Sequence, residues 1–271
     1  MVMMIPTHPI SSYVGRHAEL YDLFYAEKPY AVESRFVHDC LQKFSSRPVK
    51  RLLELACGTG NHSFLLEKYG YEIIATDYSN DMLVQARHKS ESKNSRVDFR
   101  QQDMRTLDLH ERPFDAVICL FDSIGYVATN ENIGQVLRNV HDHLKTDGLF
   151  IFEFWHAGAM LRGFDRLRIR RWKTQDSEFL RIAETTVDYQ TQLCHVAYSI
   201  YELNNNGTYN AFQETQINRF FLIQEMSEFL ISSGLIPVKW FAGFEQNEQV
   251  TENTWHIVGV AQAGNAIERS S

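Results

Sequence analysis

RLLELACGTG, Arg51–Gly60, decides the fold of this chain. Leu52 to Ala56 is a short apolar run that reads as a buried strand, and it leads straight into Gly58-Thr59-Gly60. Phe64, Leu65, Leu66 and Tyr69 then recur at helical spacing. Strand, glycine turn and helix in that order is the opening of a doubly wound nucleotide-binding sheet. The glycines let backbone approach a ligand, and the free N–H groups of the new helix face an anion. A second strand, Tyr71 to Thr76, ends in Asp77, about twenty residues past the loop, where such sheets hydrogen-bond a ribose diol.

A dinucleotide site usually carries a third glycine three residues on, but that position is Ser63, after Asn61 and His62. The anion facing the loop can therefore be small, such as an amino-acid carboxylate. S-adenosylmethionine offers that carboxylate together with a ribose and an adenine. The competing reading is an ordinary βαβ turn in which Asp77 only caps the next helix.

Outward from the loop, the strand–helix alternation continues. Ser79 is an N-cap before Met82, Leu83 and Ala86, and Val97–Gln101 alternates like a strand before Gln102-Asp103-Met104. Phe114–Leu120 is a continuous apolar strand followed by Phe121-Asp122-Ser123-Ile124-Gly125-Tyr126. Ile133–Leu144 is amphipathic and is expected to stop at a glycine turn, Lys145 to Gly148, before a fifth strand, Leu149–Phe154. Ligands bind outside the carboxyl ends of such parallel strands, and Gly58, Asp77, Asp103, Phe121 and Glu153 all fall there.

Two helices are expected before the loop, Ser12–Tyr25 and Tyr30–Phe44. The tyrosines of the first, Tyr13, Tyr21 and Tyr25, suit either a core with hydroxyls at the surface or a lid over the ligand. Beyond Trp155 the pattern turns β-rich, with runs at Phe179–Tyr189 and Leu193–Leu203 and a turn at Asn204–Gly207. A helix over Gln224–Ser233, ended by Gly234, and two strands, Ile236–Phe244 and Thr254–Ala261, complete the chain. The expected fold is therefore α/β: a doubly wound, mostly parallel seven-stranded sheet with an N-terminal helical lid and an antiparallel β insertion after the fifth strand. Residues 1–154 and 217–262 would form the core, with 1–45 as lid and 155–216 as an insertion that closes over substrate or pairs between two subunits. Residues 263–271 would be a flexible tail.

A net charge of −7 with no lysine/arginine block argues against a sequence-independent grip on nucleic acid. The one basic cluster is Arg166, Arg168, Arg170 and Arg171; alternation puts the first three on one strand face, a solvated face or one that meets a phosphate. Cys40, Cys57, Cys119 and Cys194 form no CxxC pair, and no metal-ligand spacing is visible, so no metal is expected. With no charged-then-apolar leader and no apolar run long enough for a bilayer, a cytoplasmic location without membrane contact is expected.

Glu54-Leu55-Ala56-Cys57-Gly58-Thr59-Gly60 is similar to the first motif of class I S-adenosylmethionine-dependent methyltransferases. Together with Tyr21-Asp22-Leu23-Phe24-Tyr25, Gln102-Asp103-Met104-Arg105 and Phe121 to Tyr126, it resembles the N,N-dimethyltransferases that act on nucleotide-linked amino sugars in macrolide pathways. The resemblance implies S-adenosyl-L-methionine as methyl donor. Glu54, Ala56, Gly58 and Gly60 would line its methionine end, Asp77 and Met82 its ribose and adenine, Asp103 and Met104 the adenine edge, and Phe121 the sulfonium. It also favours the lid reading, with Tyr21 and Tyr25 reaching the cofactor and the reacting amine. The implied function is methyl transfer to a small molecule, with an amine of a nucleotide-linked sugar as acceptor. Tyr25, His156, Glu153 and His62 are the candidate bases, and Asp122 could orient the acceptor. The rivals are a metal-independent O-methyltransferase, a non-catalytic S-adenosylmethionine-binding protein, and a nicotinamide dehydrogenase, against which Ser63 argues.

Overall fold

The structure, a computed structural model, describes residues 12–264. The apolar segments form α1 (Arg16–Phe24), α2 (Tyr30–Phe44), β1 (Arg51–Leu55), α3 (Asn61–Glu67), β2 (Glu72–Asp77), α4 (Asn80–Lys93) and β3 (Asp98–Gln101). Then come β4 (Phe114–Cys119), a 3-10 helix at Ser123–Val127, α5 (Asn130–His143), β5 (Leu144–His156) and α6 (Ala157–Arg162). The remainder is β6 (Leu167–Lys173), β7 (Ser177–Asp188), β8 (Leu193–Asn204), β9 (Tyr209–Phe221), α7 (Ile223–Ser232), β10 (Leu235–Ala242) and β11 (His256–Ala263).

Strands β3-β2-β1-β4-β5 are parallel neighbours, as right-handed strand–helix–strand crossovers require. Continuous apolar runs buried on both faces make this possible: Leu52, Leu53, Leu55 and Ala116 to Cys119 have no exposed surface. β11 returns antiparallel along β5, and β10 pairs outside it. The expectation of seven strands is corrected to eleven in one connected sheet, order β3-β2-β1-β4-β5-β9-β8-β7-β6 with β11 and β10 branching from β5. The antiparallel strands do not form a separate sheet, because Trp155 and His156 at the end of β5 pair with Phe220 and Phe221 of β9. β9 accordingly runs five residues past the expected limit of the insertion at residue 216.

Two element ends differ from expectation for local reasons. Tyr13 and Gly15 both take left-handed backbone, so the first helix starts at Arg16 rather than at residue 12. The expected turn at Lys145–Gly148 is instead the opening of β5, which starts as soon as α5 stops at His143. The tail expected at 263–271 falls almost entirely outside the described residues, and Ala263 closes β11. Among the described residues, no helix is long and apolar enough to cross a membrane.

Candidate active site

β1, β2, β3 and β4 open at their carboxyl ends onto a cavity of about 700 Å³. Glu54, Ala56, Gly58, Asp77, Met82, Asp103, Met104 and Phe121 line it, as does Tyr21 from α1. Gly58 is left-handed, and a Cβ there would stand 3.2 Å from the tip of Met82, so the loop lies close against α4. Gly60 is not on the cavity. It is the left-handed residue that starts α3, and a Cβ there would meet the ring of Phe99 at 2.7 Å, so its lack of a side chain serves helix–strand packing.

Asp77 spans the loop: its carboxylate accepts the backbone N–H of Gly58 at 2.8 Å and that of Ser79 at 2.8 Å. Ser79 caps α4 and its hydroxyl donates to the carbonyl of Tyr13, fastening the start of the first helix to the cofactor loop. Ser63, read from sequence only as a missing glycine, is fully buried and donates its hydroxyl to Glu54. Asp103 caps the short 3-10 turn after β3 and holds Arg105 through two oxygens.

Glu54 is almost wholly buried and Asp77 half-buried, and neither has a cationic partner among the described residues. Burial pushes Glu54 up to about 8, against the pull of the Ser63 hydroxyl and with a further push from Asp77. Burial likewise lifts Asp77 to about 6, despite the N–H groups of Ser79 and Gly58. Two uncompensated carboxyls withdrawn from water and facing one cavity, Glu54 fully and Asp77 in part, are costly unless a ligand supplies positive charge or hydroxyl donors. S-adenosylmethionine, with an ammonium, a sulfonium and a ribose diol, fits that demand.

The roof is α1. Tyr21 packs edge-on against Tyr13 and at 4.7 Å from Tyr25, and Tyr25 meets Phe121 edge-on at 5.2 Å. The Tyr13 and Tyr126 hydroxyls are 2.6 Å apart, a pairing across 113 positions that no spacing reveals. Burial raises both phenols, and Tyr21, well above the usual range. The roof is tied on both sides. Asp22 accepts from Thr59, Asn61 and Lys89 of the core, while Glu214 of β9 takes the backbone N–H of Tyr13 and lies 2.6 Å from the Nδ1 of His17.

Besides Gly60, four of the expected groups, His156, Tyr25, Asp122 and Glu153, do not line the cavity. His156, a candidate base, is buried with Nδ1 against the Thr254 carbonyl at 3.0 Å, because β5 continues through it and turns its ring toward the 254 loop. Tyr25 reaches the site only through its contacts with Tyr21 and Phe121. Asp122 is buried behind Phe121, where its carboxylate and that of Glu153 share the Nδ1 of His256 at 3.0 and 3.1 Å. Burial disfavours the charged imidazole, but the two carboxylates hold it up at about 11. Glu153 also accepts the N–H of Phe121 at 2.6 Å, so this triad sets the backbone under the cavity floor. The three groups lie close enough to hold a cation; they come from three separate strand ends, which is why no ligand spacing was visible.

Residues 52–148 match the family described as a methyltransferase domain. Fold, cavity and domain together define the class: the chain is an S-adenosylmethionine-dependent methyltransferase with the class I fold. It is 28% identical to YqeM of Bacillus subtilis over 85% of this chain and 90% of that protein. It is 35% identical to the dTDP-3-amino-3,4,6-trideoxy-alpha-D-glucopyranose N,N-dimethyltransferase of Streptomyces venezuelae over 51% of this chain, and spans 57% of that relative's length. A solved S-adenosylmethionine-dependent methyltransferase from Clostridium acetobutylicum shares the fold, with a TM-score of 0.78 and 24% identity over 91% of this chain and 97% of that one.

Proposed function

We propose that the protein methylates an amine of a small molecule, with a nucleotide-linked amino sugar as the acceptor class. The observation that supports this reading is the aromatic lining beside Phe121: Tyr13, Tyr21 and Tyr126 line the cavity, and Tyr25 packs behind Tyr21 and Phe121. Rings and phenol oxygens attract an ammonium or a partly methylated amine and offer little to an oxyanion. The sequence likeness to an amino-sugar N,N-dimethyltransferase supports the same acceptor.

When bound, S-adenosylmethionine supplies a methyl on a positively charged sulfur, open to in-line displacement. The chain's own work is then alignment and exclusion of water, which can lower a barrier by roughly 7–11 kcal/mol. In this reading Glu54 and Asp77 hold the donor, Asp103 and Met104 border its adenine, and Tyr21 closes over it. The phenols of Tyr13 and Tyr126 stay protonated at neutral pH, so they orient the amine by hydrogen bonding and do not remove its proton. Asp122 acts through His256 and Glu153 to fix Phe121 and is a positioning residue. Residues up to 45 serve as lid, and the antiparallel strands form the acceptor wall.

The test is S-adenosylhomocysteine release with a panel of primary and secondary amines against matched alcohols. Release with amines and not with alcohols is expected; the reverse selectivity would hand the reading to an O-methyltransferase.

A further inference from the structure

Two arginines of the antiparallel wall are packed inside the protein, Arg181 on β7 at 6% exposure and Arg219 on β9 at 5%; Arg219 is paired with Glu225, and Arg181 is not. The Arg181 guanidinium lies 4.9–5.5 Å from the ring centres of Phe24, Tyr25, Trp172 and Tyr198. Rings take the faces of a guanidinium, whereas its N–H donors point outward in the plane and still need acceptors. Among the described residues none is supplied: the Arg181 side chain makes no ion pair or hydrogen bond, and its Nη1 is buried without a partner. The nearby carboxylates are committed elsewhere, Glu202 to Arg16 and Glu214 to His17 and Tyr13.

The strand register makes the charge problem worse. Arg170 of β6 stands directly opposite Arg181, and like charges in opposed positions destabilise a strand pair. Arg170 has no partner among the described residues. Arg168 lies two residues along the same face and meets only Asp165, at an exposed 3.3 Å contact. Trp172, next in the alternation, packs on Arg181, so this face of β6 is the one turned toward α1. Three guanidinium groups therefore share one sheet face, one of them desolvated, and of the three only Arg168 has a carboxylate at ion-pair distance. Such an arrangement costs stability unless an anion binds it, and a phosphoryl group matches the planar fork of an arginine through two parallel hydrogen bonds.

Its place in the molecule relates it to the reaction. Tyr25 touches Arg181 on one side and Phe121 on the other, so the guanidinium is one ring away from the cavity floor. We infer that Arg181, with Arg170 and Arg168 beside it, binds a phosphoryl group of the methyl acceptor and holds it on the far side of Tyr25 from the transfer point. The inference rests on the amine-transfer reading for which molecule brings the phosphate, and the anion site itself can be tested without turnover.

The experiment is calorimetric titration of the full chain with inorganic pyrophosphate and, separately, with acetate, each in saturating S-adenosylhomocysteine. Wild type is expected to bind pyrophosphate at least roughly tenfold more tightly than acetate. Arg181→Met should weaken pyrophosphate roughly tenfold and Arg170→Gln roughly threefold, with S-adenosylhomocysteine affinity unchanged in both. Arg181→Lys, which keeps the charge and loses the fork, covers the case in which the methionine variant does not fold; it should still weaken pyrophosphate. Unaltered pyrophosphate binding in the arginine variants, or acetate binding as tightly as pyrophosphate, overturns the inference. Failure of S-adenosylhomocysteine to bind wild type would instead count against the methyltransferase site and leave the pyrophosphate result to stand by itself.

Discussion

The carboxyl ends of the parallel strands and the inner face of the antiparallel wall carry opposite debts of charge. At the strand ends Glu54, buried, and Asp77, half-buried, are acids with no cation among the described residues. On the wall Arg181 is a buried cation with no anion. The two regions meet through Tyr25 and Phe121. A pair of ligands in which the donor is positive and the acceptor carries a negative group beyond its amine would settle both at once. In the proposed reading, unpaired charge, more than shape, decides which of the two regions each ligand takes.

The comparison breaks first at Asp77. Asp77→Ala removes a half-buried charge-assisted acceptor, and S-adenosylmethionine affinity measured by titration should fall by about 1.5–3 kcal/mol. An unchanged affinity removes Asp77 from the site. Next, His256→Gln leaves Asp122 and Glu153 facing each other without their shared cation. With the imidazole 44% exposed and solvent screening the loss, urea unfolding should show about 1–3 kcal/mol of destabilisation. Because the folded state raises the imidazole to about 11, its contribution is full below about 6.5 and is lost as pH rises through about 11. The gap between wild type and variant should therefore narrow at alkaline pH.

A smaller effect sharpens the cofactor half. Glu54 and Asp77 hold protons more tightly folded than unfolded, so their contribution is present below their ordinary values, 4.5 and 3.8, and is lost as pH rises through about 8 and about 6. Melting temperature without ligand should fall across that window, while the rise caused by S-adenosylmethionine should grow. Smallest is Tyr25→Phe, which keeps the ring between Phe121 and Arg181 and loses only the hydroxyl. Turnover should slow several-fold, with cofactor affinity within a factor of about two; an equal loss in both would place Tyr25 on the donor.

The parallel half was legible because its signals are local. Glu54, Gly58, Asp77 and Asp103 each sit at a strand end that an apolar run announces, so their convergence follows from the crossover rule. Gly60 was assigned to the ligand for the same reason and turned out to face Phe99, since a glycine's spacing does not say which neighbour comes close. His156 was misplaced because the apolar pattern does not fix where β5 ends. The wall was poorly legible: Arg170 opposite Arg181, Tyr13 beside Tyr126 and His256 between Asp122 and Glu153 depend on register and on contacts across 113 and 134 positions. The alternation of Arg166, Arg168 and Arg170 did hint at a phosphate-facing strand, but the buried arginine that gives the hint weight lay on the neighbouring strand.

The central claim is that partly protonated carboxyls at the strand ends receive a cationic adenosyl donor. Calorimetric titration of S-adenosylmethionine at pH 7 in buffers of different ionisation enthalpy measures it directly. Binding accompanied by proton release, abolished in Glu54→Gln, is the predicted result; binding with the same heat in every buffer, or no binding, would contradict it.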